Sequence, residues 1–203
     1  MDEGSKIQLS PHEKELVVSP DLILTKNRIL KKAQLLLTKS EAINHATLQA
    51  HADSLPVEIF RVPPKISRGE NYLGLPWLIL DQPRLFSNTD VFAIRTLFWW
   101  GRFFSCTLHL AGRYKERYQS TLVSRFSSMA ENGFYCCVNE NQWEHHFERA
   151  NYVSMTEMDE DEFSSTVASK PFTKIAVSFP VAYWDQAAEM LSGKFSLLIS
   201  WLA

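Results

Sequence analysis

Apolar and polar residues alternate most strictly between Val91 and Gly112, in the stretch VFAIRTLFWWGRFFSCTLHLAG. Period-two alternation marks strands with two unlike faces. The run therefore predicts two strands joined at Trp100-Gly101-Arg102. Pairing positions that sum to 202 sets Phe92, Ile94, Thr96 and Phe98 opposite Leu110, Leu108, Cys106 and Phe104. That face is nearly all apolar. The other face pairs Ala93 with His109, Arg95 with Thr107 and Leu97 with Ser105. A slip by one residue would mix the two faces, so the alternation itself selects this register. A three-residue loop leaves Gly101 free to take a positive φ.

Helical spacing appears on both sides of this hairpin. Ser19-Pro20-Asp21 suits a helix start. Behind it Leu22, Ile29 and Leu36 repeat at seven, as do Ile23, Leu30 and Leu37. A second helical piece is expected from Ser40 to about Ala52, and residues 1 to 18 are expected as a loose lead-in. Tyr114, Tyr118, Leu122, Phe126 and Met129 recur at three and four, predicting one helix closed by Asn132-Gly133. Ser154 to Glu157 fits a capping box for a helix reaching Ser169. Shorter strands are expected at Trp77 to Leu80, Phe134 to Val138 and Lys174 to Phe179. Pro180 should open a helix ending at Gly193, and Phe195, Leu197, Ile199 and Trp201 alternate as a last strand. Pro56, Pro63, Pro64, Gly69, Gly74 and Pro76 make 55 to 75 loop-like.

These elements predict an α+β fold: a mixed, mostly antiparallel sheet of about six strands with packed helices and an N-terminal helical arm. The arm is expected over 1–54 and the sheet domain over 55–203. The stretches 103 to 138 and 174 to 201 each read as strand, helix, strand, long enough for a crossover between parallel strands.

Composition narrows the setting. Hydrophobic residues make up 45% of the 203 and charged residues 22%, with thirteen Phe and six Trp, enough for one core. A net charge of -2 gives no general attraction to nucleic acid or to an anionic membrane, so neither is expected as a partner. No run of eighteen apolar residues occurs, and the first eighteen residues lack the basic start and apolar centre of a secretory signal. Three cysteines, two of them adjacent, make a poor disulfide framework. A cytoplasmic setting with reduced thiols is expected.

Candidate chemistry rests on four features. Arg95, Ser105, Thr107 and His109 share one hairpin face, where a guanidinium fork, two hydroxyls and an imidazole could bind a carboxylate or phosphate. The competing expectation is that this face is the solvated side of an antiparallel pair. In Trp143 to Glu148, the residues Glu144, His145 and Glu148 are donors suited to zinc, iron or manganese, without a second spaced ligand pair. Glu140 to Glu162 carries eight acids and one base, either a partner surface or solvated helix starts. The loop 63–74 holds Lys65 and Arg68 beside glycines but matches no phosphate-binding motif. No nucleophile elbow, H-E-x-x-H or C-x-x-C occurs, and no motif specifies a cofactor.

The leading expectation is a non-catalytic binding or interaction domain, with the helix from Pro20 to Thr38 as its partner surface, for self-association. The alternative is a small enzyme or ligand-binding domain for an anionic metabolite, with Arg95 holding the anion and His109 as acid or base.

Overall fold

The computed structural model describes residues 7–203; the first six residues of the expected lead-in lie outside it. From Pro11 to Val18 the lead-in is a helix, α1, opened by a capping box between Ser10 and Glu13. A single helix, α2 (Asp21–Ala50), then replaces the two expected pieces. Its buried residues Leu30, Ala33, Leu37, Ser40, Asn44 and Leu48 keep helical spacing straight through the expected break.

Seven strands form one sheet: β1 (Lys65–Tyr72), β2 (Leu75–Phe86), β3 (Val91–Trp99), β4 (Phe103–Ala111), β5 (Tyr135–Cys137), β6 (Tyr152–Ser154) and β7 (Phe172–Pro180). Their order is β1-β2-β3-β4-β7-β5-β6, and every neighbouring pair is antiparallel. The fold is thus α+β. The β3–β4 hairpin has the register that alternation requires, from Val91 opposite Ala111 to Trp99 opposite Phe103, and Gly101 has φ of 67°.

No parallel neighbours form. Strands β4 and β5 do run parallel, because both are antiparallel to β7, but β7 inserts between them. The crossover between them passes through α3 (Arg113–Ser124) and α4 (Phe126–Glu131). The helix expected over this stretch is broken at Arg125. The capping box expected at Ser154 instead forms at Asp159 with Glu162 and opens α5 (Glu160–Ser169), while Ser154 caps a short 3₁₀ turn.

Strand β1 occupies part of the expected loop. It is an edge strand with mostly polar side chains, so neither face carries an apolar signal. Its Gly69 lies opposite Trp77, whose indole covers it; a Cβ there would come within 2.5 Å of the ring. The expected final strand is instead the C-terminal part of α6 (Ala187–Leu202), which runs through Gly193 after a 3₁₀ turn at Val181–Gln186. Leu191, Phe195, Leu198, Ile199 and Leu202 are among its buried residues, at helical spacing. An apolar run on nearly all sides also alternates by chance, and the helical period won because α2 offers a surface to pack on.

Helices α2, α3 and α6 cover one face of the sheet, burying Leu78, Leu80, Phe92, Ile94, Phe98, Phe104, Leu108, Leu110, Ile175 and Val177 in the main core. The opposite face carries two smaller apolar clusters, one around Ile79, Leu97 and Trp99 and one around Ala93, Phe172 and Ala176. The polar side chains of the hairpin lie on this second face.

Gly193 is exposed within α6, has no positive φ, and a Cβ there would meet nothing within 4 Å. Gly193→Ala is therefore expected to raise stability by about 0.5–1 kcal/mol, through helix propensity and a less flexible unfolded chain. Urea unfolding of the two proteins checks this.

Candidate functional site

Strand registers place the polar side chains in rows across the second face. One row runs Asp81, Arg95, Thr107, Ala176 and Tyr135 over β2, β3, β4, β7 and β5. The next runs Arg84, Ala93, His109 and Lys174. A bulge in β2 between Asp81 and Arg84 separates the rows at that edge. At the other side Trp77, Trp99 and Phe103 form an aromatic row.

This face is not open to solvent. Thr107 is 5% exposed, His109 6% and Lys174 1%. They are covered by residues 138–151, the segment joining β5 to β6 (Cys137 lies opposite Tyr152). It crosses back over the sheet with no helix or strand of its own. Irregular segments of this length usually carry function.

Individual hydrogen bonds hold it down. The Tyr72 hydroxyl, on edge strand β1, donates to Glu144 Oε2 at 2.9 Å and accepts the backbone N–H groups of His145 (2.8 Å) and His146 (3.2 Å). Burial pushes its pKa up to about 12, so it remains a donor. Lys174 Nζ donates to the Glu144 carbonyl at 2.6 Å. Burial lowers the Lys174 pKa to about 8. Gln142 Oε1 accepts from His109 Nε2 at 2.9 Å, and Asn151 Nδ2 donates to the His146 carbonyl at 2.6 Å. The Phe147 ring stacks on Tyr152 at 4.7 Å and meets Phe103 edge-on at 5.1 Å.

Arg95 is the centre of this arrangement. Its Nε and one terminal nitrogen donate to the two Asp81 oxygens at 2.8 and 3.0 Å, a bidentate pair. Its other terminal nitrogen lies 2.9 Å from His145 Nε2. Arginine can only donate, so His145 Nε2 accepts and the imidazole proton sits on Nδ1. Burial first, then the positive charge of Arg95, holds the His145 pKa well below its ordinary value. His145 is thus a neutral imidazole with a fixed tautomer. Its Nδ1 has no hydrogen-bond partner among the described residues, and the residue lines the cleft beside the cover.

Between the cover and the β1–β3 edge lies a cleft of about 410 Å³. Tyr72, Trp77 and Trp143 give it aromatic walls, Ile79 and Leu97 an apolar base, and Asp81, Arg95, His145, Ser67 and Asn71 its polar groups. Of the residues singled out from sequence, Arg95 and His145 meet here. Ser105, Thr107 and His109 share the face but lie beneath the cover, outside the cleft lining. Glu144 is tied to Tyr72, and Glu148 is exposed. No cluster of three or more His, Cys, Asp or Glu suited to a metal occurs among the described residues. Tyr72 belongs to the candidate loop 63–74 and Trp143 to the Trp143–Glu148 segment, whereas Asp81 and Trp77 are cleft residues that no candidate feature contained. The bulge hid Asp81, which looked like the end of a strand rather than its middle.

The acid run dissolves into separate roles. Glu160, Asp161 and Glu162 lie in the first turn of α5, Glu140 pairs with Lys170, and Glu157 pairs with Arg149. All three cysteines are buried and free, and burial pushes Cys106 and Cys136 up to about 12. Neither is a thiolate nucleophile. No helix among the described residues is long and apolar enough to cross a membrane.

His109 supplies a test of the cover. Burial, then Lys174 directly across the strand, lowers its pKa to about 3. An unfolded chain takes up that proton near pH 6.5 and the folded chain does not. Stability is therefore full above pH 6.5 and falls as pH drops toward 3, by about 1.4 kcal/mol per pH unit from this residue. His109→Gln should flatten the urea-unfolding profile between pH 6.5 and 5 by roughly 2 kcal/mol. An unchanged profile would place the acid sensitivity elsewhere.

Comparison with protein-family models, with curated proteins and with solved structures finds no match to this chain.

Proposed function

We propose that the protein is a non-catalytic binding domain whose cleft takes a small uncharged molecule with a flat apolar face and a hydrogen-bonding edge. One observation carries this reading: the Arg95 charge is already met by Asp81 through two bonds and its remaining arm is given to His145. An incoming anion would find no uncommitted cation there. A neutral edge carrying an acceptor would find the His145 Nδ1–H. Trp77, Tyr72 and Trp143 offer flat surfaces of the kind that ring-shaped ligands stack on.

The anionic-metabolite enzyme has weaker support. His109 is neutral, bound to Gln142 and outside the cleft, so it is poorly placed as an acid or base. The one cleft hydroxyl that donates to a carboxylate, Tyr72 to Glu144, also accepts two backbone N–H groups and has its pKa pushed up to about 12 by burial, so it is poorly placed as a nucleophile.

Trp143 is 49% exposed, so Trp143→Ala should leave the fold intact. Ligand-observed NMR with adenosine and N-acetylglucosamine as neutral ring probes, and phosphate and citrate as anions, tests the reading. A neutral ring compound should bind, and Trp143→Ala should weaken it about tenfold, the loss of one stacking contact of about 1.4 kcal/mol. Binding of the anions alone, or equal binding by the variant, overturns it.

A further inference from the structure

The N-terminal corner is the most apolar exposed surface among the described residues. Leu16, Val17 and Val18 close α1, and Leu22, Ile23 and Leu24 open α2; each is between 40% and 78% exposed. The two triplets flank a groove of about 540 Å³ at Ser19-Pro20. Ile7 and Leu9, ahead of α1, are also exposed, at 86% and 45%. Helix α1 buries no residue at all, and the first buried residue of α2 is Leu30. The corner therefore stands clear of the core. An eight-residue helix with no packed face is not stable by itself in water.

From this corner we infer that two copies of the chain pair through α1 and the start of α2, related by a two-fold axis. Two observations single out a second copy as the occupant. The first is area. The six exposed residues at the groove present on the order of 600 Å², at the upper end of the patches of monomers and at the low end of what each partner contributes to a specific interface. The second is charge. Glu13 and Glu15 on α1 and Asp21 at the first position of α2 outnumber the one lysine among them, Lys14, while Arg28, Lys31 and Lys32 follow on α2, exposed and in no ion pair among the described residues. Lys26 is already paired with Glu70. Antiparallel pairing sets the acids of one copy against the bases of the other, as a self-complementary surface requires. A lipid surface fits less well, because interfacial helices carry several bases on the polar face and α1 carries two acids and one lysine. The surface shares no residue with the cleft, so the two proposals stand or fall separately.

Sedimentation equilibrium of the full chain over a wide concentration range tests this. The chain should sediment as a dimer. Val17→Asp combined with Ile23→Lys should weaken dimerisation at least tenfold, with the far-UV circular dichroism spectrum unchanged. Arg28→Glu should weaken it, and adding Glu13→Arg to that variant should recover part of the loss. A monomer at every concentration overturns the inference. So does a dimer indifferent to the Val17/Ile23 variant, or cosedimentation of a monomer with phosphatidylcholine–phosphatidylserine vesicles.

Discussion

Two cations, Lys174 sealed from water and Arg95 mostly buried at the edge of the cleft, lie on one sheet face, and the architecture of that face follows from the need to satisfy them. A buried charge without partners costs several kcal/mol. Asp81 supplies one answer, from the neighbouring strand and in the same row. The segment 138–151 supplies the other, because the Glu144 carbonyl accepts from Lys174 and the His145 ring accepts from Arg95. The cover is therefore bound to the sheet by polar bonds to strands that its own chain neighbours do not include. Its apolar anchor, Phe147, packs against Phe103, Tyr135 and Tyr152.

This division explains why the cleft sits where it does. Near β7 and β5 the cover lies flat and excludes solvent. Toward β1 it is held chiefly at Tyr72, whose hydroxyl is saturated by its three bonds. Beyond that point Trp77 lies across Gly69 and leaves room above Ile79 and Leu97. A larger residue than glycine at 69 would push the indole out of the wall it forms. The polar groups that reach the cleft are the ends of the same network that secures the cover. Their geometry is set before any ligand arrives, the condition under which few polar contacts give useful affinity.

How far the sequence exposes this depends on the range of each interaction. Alternation along 91–112 is local, and it correctly grouped Arg95, Ser105, Thr107 and His109 on one face. The heptad spacing of Ile23, Leu30 and Leu37 likewise marked α2. Edge strand β1 had no apolar face to read, and the bulge in β2 broke the alternation that would have joined Asp81 to Arg95. At the C-terminus, apolar residues on nearly every side satisfied two periods at once, and only packing against α2 chose between them.

The cover is the case that no local pattern could reveal. In Trp143 to Glu148 the sequence offers only metal-type donors without a second spaced pair. The cover's partners Tyr72, Arg95, His109 and Lys174 come from β1, β3, β4 and β7. Local patterning settled which side chains share a sheet face, because that depends only on the two-residue repeat of a strand. Whether the face meets water or a lid, and which charge answers which, was decided only once the chain folded, since those pairings join residues far apart in sequence.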